Sequence, residues 1–217
     1  MAMYEWNEDA CRQYADSMHP MTRFDHRRWA ERIASAIEDL PDGATLVDVA
    51  TGPGFLLVAI GRLVPGLDLV ALDQAEPMLA VAREEATAAG LSITTVCSAA
   101  ESLSLGDEEA DVVTCKQLLH EADDPKKVMA EALRVLKPGG RLYLIDFDAD
   151  GSRVAAAAVR ALITVMGGLA IARTFWRSYR AGLHGADVRT TLLEVGFASA
   201  EYERSGFNYF ITGVKGV

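Results

Sequence analysis

The chain is short of cysteine, of basic charge and of long uncharged apolar runs. Its three cysteines (Cys11, Cys97 and Cys115) are odd in number, widely spaced and free of any C-x-x-C, so neither a disulfide framework nor a zinc ribbon is written here. Cys97 and Cys115 fall inside or at the ends of apolar runs and read as buried apolar groups. Lys and Arg number 21 against 31 Asp and Glu, a net charge of −10, which argues against a protein that grips phosphate backbones. No nucleic-acid partner is therefore expected. The longest uncharged apolar stretch, residues 161–172, falls short of the ~20 residues a spanning helix needs, so no membrane partner is expected either. Glu5, Glu8 and Asp9 interrupt the opening residues, where an export signal would carry a basic and then an apolar segment. The reading is cytoplasmic. No spacing of His, Asp and Glu announces a metal site, and none is expected.

What is present is an α/β pattern. Residues 44–50 (ATLVDVA), 67–72, 92–97, 110–115 and 141–147 are short, β-branched and nearly continuously apolar, as central strands covered on both faces are. Residues 55–63, 77–89 and 125–136 lie between them with apolar positions at helical spacing. Such alternation builds right-handed βαβ units and a doubly wound, mostly parallel sheet. Residues 186–195 read as a helix stopped by Gly196, and 198–204 and 208–214 as a closing antiparallel hairpin. The chain is thus read as one domain: a helical cap (1–40), a core (41–150), a helical lid insertion (152–183) and a closing helix with hairpin (184–217).

The chemistry concentrates in V-D-V-A-T-G-P-G-F, residues 47–55. A strand ends in an acid, and small residues then open a helix whose free N–H groups can meet polar ligand atoms. Leu57 occupies the third glycine position of G-x-G-x-x-G, and Asp48 stands where a pyrophosphate would repel it, which weighs against a dinucleotide. The second strand ends in Asp73, placed to accept both hydroxyls of a ribose.

This motif, with A-L-D-Q-A-E-P-M-L, A-A-E-S-L, A-D-V-V-T-C-K-Q-L-L-H and L-R-V-L-K-P-G-G-R-L after it, resembles the successive motifs of class I S-adenosylmethionine-dependent methyltransferases. D-H-R-R-W and the L-K-P-G-G-R-L block are similar to the ubiquinone/menaquinone C-methyltransferase group. The resemblance implies a Rossmann-like seven-stranded sheet with an antiparallel last strand, and S-adenosyl-L-methionine as cofactor. It implies that Asp48, Ala50, Gly52 and Gly54 line the methionine end and that Asp73 holds the ribose. Gln74 and Met78 would flank the adenine, with Ala99, Ala100 and Glu101 at its edge. The family commonly carries Asp where Ala99 stands, so Glu101 or a backbone carbonyl takes over, or affinity falls. Lys116, at the tip of the fourth strand, would lie near the sulfonium and serve a substrate carboxylate or point to solvent.

Methyl transfer needs alignment of donor and acceptor, and a base only where the acceptor must lose a proton. His120, with a near-neutral pKa to offer, and Asp146 are the candidate catalytic groups; packing, capping and turn roles are the alternatives. The expected partner is a small, partly apolar acceptor. Binding without methyl transfer and nicotinamide-dependent oxidation remain competing readings, the latter opposed by Leu57 and the hairpin. Residues 154–172 carry enough Ala, Leu, Ile, Val and Met to demand burial, either as a lid with the cap around Tyr14 and His19 or against a second subunit in a homodimer.

Overall fold

A computed structural model describes residues 7–217, without the side chains of residues 17–24 and 167. Trp6 and the His19 side chain, both assigned to the cap, lie outside the described residues. Seven strands form one mixed sheet in the order β3-β2-β1-β4-β5-β7-β6. The chain divides into two compact units, the first ending at Ser104 and the second beginning at Leu105.

The first unit holds β1 (Thr45–Val49), β2 (Asp68–Asp73) and β3 (Thr94–Cys97), all parallel. Helix α1 (Glu8–Ile37) starts at Asn7, whose side-chain oxygen accepts from the Ala10 N–H at 2.9 Å. Its stripe of Cys11, Ala15, Trp29, Ile33 and Ile37 is buried, and it packs along α2 (Phe55–Leu63) and α3 (Glu76–Ala88). The cap is thereby built into the unit. One expectation fails here: Cys97 is exposed, because β3 is the edge strand and its end is uncovered. Its Sγ lies 3.6 Å from the Gln74 carbonyl oxygen.

The second unit holds β4 (Ala110–Lys116), α4 (Pro125–Val135), β5 (Leu136–Phe147), α5 (Arg153–Arg180), α6 (Gly185–Val195), β6 (Ser199–Ser205) and β7 (Asn208–Val214). Strand β7 runs antiparallel to both β5 and β6, as the hairpin pattern requires. Strand β5 starts at Leu136 rather than at residue 141. Buried Leu136 pairs with Ala110, and the next pair is Val112 with Arg141, so K-P-G-G is a bulge within the strand instead of a loop before it. Gly139 takes the positive φ (77°) that this bulge needs. Helix α5 is broken at Gly168, whose φ of 84° and ψ of 172° are not helical. The demand for burial over residues 154–172 is met only by small side chains: Ala156 and Ala172 are buried, while Val154, Leu162, Val165, Met166 and Leu169 are exposed.

Candidate functional site

In the first unit the loop after β1 is shaped by backbone. Ala50 (φ 53°), Gly52 (φ 55°) and Gly54 (φ 77°) all take left-handed conformations. For Ala50 that is strain held by its surroundings. The Thr51 N–H donates to the Leu72 carbonyl at 2.9 Å and the Gly54 N–H to the Thr51 carbonyl at 3.0 Å, which folds the loop back on β2. A Cβ on Gly54 would stand 3.0 Å from that of Ala82, so glycine there lets α2 and α3 approach. A Cβ on Gly52 would meet nothing within 4 Å, which leaves open space against the loop. Among the described residues, no side chain caps the N-terminus of α2.

Two carboxylates serve this loop. Asp48 is buried and accepts the Thr51 hydroxyl at 2.7 Å. Asp73 accepts the Gly52 N–H on one oxygen and the Ala75 N–H on the other, each at 3.0 Å. Burial raises the Asp73 pKa, against the opposing pull of the Ala75, Gly52 and Gln74 N–H groups. Each of its oxygens keeps further acceptor capacity. A carboxylate so oriented, beside a loop with open space at Gly52, fits the ribose and methionine ends of S-adenosylmethionine.

The remaining predicted cofactor residues are spread over several environments. Gln74 is exposed, and Met78 is buried in a cluster with Cys11, Ala15 and Val81. Ala99 is exposed and its carbonyl accepts the Ser102 N–H at 3.1 Å; Ala100 is buried and Glu101 half-buried. Lys116 belongs to the second unit, where its Nζ donates to the Gln117 side chain at 3.2 Å. Cys11 carries no motif and escaped sequence reasoning. Its thiol pKa is raised by burial and by the negative charge of Asp73, which places α1 beside that carboxylate.

In the second unit, His120 and Asp146 come together across 26 residues of sequence. The His120 Nδ1 lies 2.6 Å from an Asp146 oxygen, and both side chains are only 3% exposed. Asp146 also accepts the Phe147 N–H at 2.7 Å and the His120 N–H at 3.3 Å. The His120 Nε2 lies 3.6 Å from Glu121. Burial alone would lower the imidazole pKa, but Asp146 and Glu121 outweigh it and hold the pKa at about 9. The near-neutral base expected from the sequence is thus a protonated imidazolium at neutral pH. Its ring meets Phe147 edge-on at 5.0 Å, and Phe147 in turn stacks with Phe207 and meets Phe175 and Tyr179. Gln117, the residue directly after β4, holds a left-handed backbone (φ 57°) while donating its N–H to the Ile145 carbonyl at 2.7 Å.

Asp148, two residues beyond Asp146, has a different place. It is fully buried and accepts the Tyr202 hydroxyl at 2.7 Å and the Arg204 Nε at 3.2 Å. Burial raises its pKa, yet these bonds and backbone N–H groups bring the net shift downward. That is a satisfied structural network. Tyr179 is buried and its hydroxyl donates to the Gly151 carbonyl at 3.2 Å. Glu121 lies beside His120. Its pKa is lowered mainly by His120 and also by Arg177 and Ser178 of α5.

Comparison with known proteins bears on the family and the fold. Residues 47–144 match the methyltransferase domain family. The demethylmenaquinone methyltransferase of Thermus thermophilus is 37% identical over 121 residues, 55% of this chain and 54% of that protein. The chain thus spans about half the length of the first curated relatives it matches. A longer alignment, 28% identical, covers 91% of this chain and 80% of the ubiquinone/menaquinone biosynthesis C-methyltransferase UbiE of Desulfotalea psychrophila. A crystal structure from Methanococcus maripaludis superimposes with a TM-score of 0.78 at 19% identity, covering 100% of this chain and 97% of that one, a likeness of fold. By its motif order, its sheet and these relatives, the chain is similar to the class I S-adenosylmethionine-dependent methyltransferases, and among them to the ubiquinone/menaquinone C-methyltransferase group.

Proposed function

We propose that the chain, acting as one methyltransferase domain, moves a methyl group from S-adenosylmethionine to a small, partly apolar acceptor of the hydroxy-aromatic or quinol type. The observation that carries this reading is the Asp73 carboxylate, held on both oxygens by the Gly52 and Ala75 N–H groups beside the open face of the loop. The cofactor supplies an electrophilic methyl group on a sulfonium sulfur. Asp73 holds the ribose hydroxyls, and Asp48 with Ala50, Gly52 and Gly54 lines the methionine end. Gln74 and Met78, then Ala99, Ala100 and Glu101, serve the adenine, and Lys116 stands for the sulfonium end.

His120 and Asp146 are assigned to the acceptor. Asp146 holds the proton at His120 Nδ1, and the ring keeps its positive charge among aromatic side chains. A fixed cation of that kind favours an acceptor that arrives as a phenolate or enolate over one that must still be deprotonated. The named relatives act on demethylmenaquinone or in quinone biosynthesis, which supports an acceptor of this chemistry. A net charge of −10 favours a small molecule over a nucleic acid, and a cytoplasmic setting belongs to the same reading. Among the described residues, no helix is long and apolar enough to cross a membrane.

The test is calorimetric titration with S-adenosylmethionine, followed by release of S-adenosylhomocysteine in the presence of a short-chain naphthoquinol. Binding with turnover supports the reading. Binding without turnover across a panel of phenols and quinols overturns the acceptor, and NADH binding in place of S-adenosylmethionine overturns the whole.

A further inference from the structure

The two halves of α5 lie side by side. Along an unbroken helix, Arg160 and Trp176 would stand ~24 Å apart, and Gly151 and Tyr179 ~42 Å. Instead the Arg160 guanidinium lies 5.1 Å from the Trp176 ring centroid, and the Tyr179 hydroxyl 3.2 Å from the Gly151 carbonyl. The break at Gly168 therefore folds α5 into a helical hairpin. Its base is anchored by Ala156 and Tyr179 against Phe147, and its tip is the turn around Gly168.

That tip is apolar and uncovered. Leu162, Val165, Met166 and Leu169 expose 57%, 85%, 55% and 62% of their surface within two turns of Gly168. A patch of large side chains like this marks an interaction site. The charges behind it are of one sign. Residues 153–180 contain five arginines and no Asp or Glu, in a chain whose net charge is −10. Beyond the break, Leu169, Arg173, Arg177 and Arg180 follow at i, i+4, i+8 and i+11, one helix face with its arginines exposed.

We propose that this hairpin docks on an anionic lipid bilayer, its tip entering the boundary between headgroups and acyl chains. Surface-lying elements bury their apolar part ~5–10 Å deep. The four tip residues lie within that depth. Arg160 and Trp176, each eight positions from Gly168, stand ~12 Å behind it, at the level where arginine meets lipid phosphate and tryptophan prefers the interface. A second copy of the hairpin is a poorer occupant, since it would set arginines against arginines with no acid between them. The sequence-based exclusion of a membrane partner rested on spanning length, which does not bear on an element lying at the surface. Docking is independent of the reaction proposed above, and it would bring an apolar acceptor within reach of the second unit.

The experiment sediments the full chain with vesicles of phosphatidylcholine, with and without phosphatidylglycerol. The wild type should pellet with phosphatidylglycerol vesicles, and high salt should release it. Val165→Ser with Leu169→Ser, and separately Arg173→Glu with Arg180→Glu, should each cut binding roughly tenfold or more. All four positions are exposed, so melting curves that match the wild type are expected. A wild type that ignores phosphatidylglycerol vesicles overturns the proposal, and so do serine variants that bind as well as the wild type. It is equally overturned if light scattering shows a wild-type dimer that the serine changes split while vesicle binding is unchanged.

Discussion

The two units hold their chemistry in different ways. In the first, backbone does nearly everything: left-handed residues at 50, 52 and 54, two N–H groups on one carboxylate, and glycines whose missing side chains leave room. In the second, side chains from distant parts of the sequence build the site: His120 against Asp146, Glu121 near Arg177 and Ser178, and an aromatic cluster drawn from β5, α5 and the β6–β7 turn. A backbone site is tied to a local motif, because the conformations it needs restrict which residues can stand at each step. A side-chain site is tied only to the fold. The first arrangement suits a cofactor of fixed shape and the second an acceptor that differs from one relative to the next.

The largest effect should come from cutting the side-chain site. Asp146→Asn removes the buried counter-charge of His120 and leaves only the half-exposed Glu121 carboxylate at 3.6 Å, and breaking a buried pair costs about 3 kcal/mol. The linkage has a definite sign. Because the folded pKa of His120, about 9, lies above the imidazole's unfolded value, the pair's stabilisation is complete below about pH 6.5 and is lost as the pH rises through about 9. Urea melts of wild type and variant should differ by about 3 kcal/mol at neutral pH. They should draw together toward pH 10, apart from the two N–H bonds that Asp146 also accepts. Parallel curves across that window would mean that His120 is not held charged.

The same contrast explains what could be read beforehand. The motif of residues 47–55 and the acid of Asp73 were legible because a strand, a small-residue loop and a helix start must follow one another in the chain. The order of alternating strands and the closing hairpin were legible for the same reason. The bulge of β5 was not, because K-P-G-G reads as a loop until Leu136 is seen to pair with Ala110. Nor could the exposure of Cys97 be read, since an apolar strand gives no sign that it is the sheet's edge. His120 was singled out for its chemistry, but its charge state depends on Asp146 and Glu121. The hairpin of α5 needed two contacts, Arg160 with Trp176 and Tyr179 with Gly151, that periodicity cannot supply.

A change of similar size should break the backbone site from its one charged member. Asp73→Ala removes the acceptor proposed for the two ribose hydroxyls and frees the Gly52 N–H, so S-adenosylmethionine affinity should fall roughly 100-fold, or about 3 kcal/mol. Burial disfavours the ionised carboxylate in the empty protein, so Asp73→Asn should leave the thermal midpoint unchanged or slightly raised while affinity still drops. Calorimetry that finds undiminished affinity in both variants would remove Asp73 from the ribose, and most of the residue assignments around the loop with it.

The smallest effects should separate the two glycines of the loop. Both hold positive φ, so either Ala substitution costs about 1 kcal/mol from the backbone alone. At Gly54 the new methyl would also press on Ala82, 3.0 Å from its Cβ and 3.4 Å from its Cα, and neither helix can withdraw without loosening the packing of α2 on α3. Gly54→Ala should therefore be the more destabilising, by about 2 kcal/mol in a urea melt. At Gly52 the methyl meets no protein atom within 4 Å and stands in open space, where the proposed cofactor would lie. Gly52→Ala should cost only the backbone strain, yet weaken S-adenosylmethionine binding roughly tenfold, about 1.4 kcal/mol. The order of the two variants should thus reverse between the melt and the titration. If Gly52→Ala binds as the wild type does, the open face of the loop is not where the cofactor sits, and the glycine there answers to the chain's own turn alone.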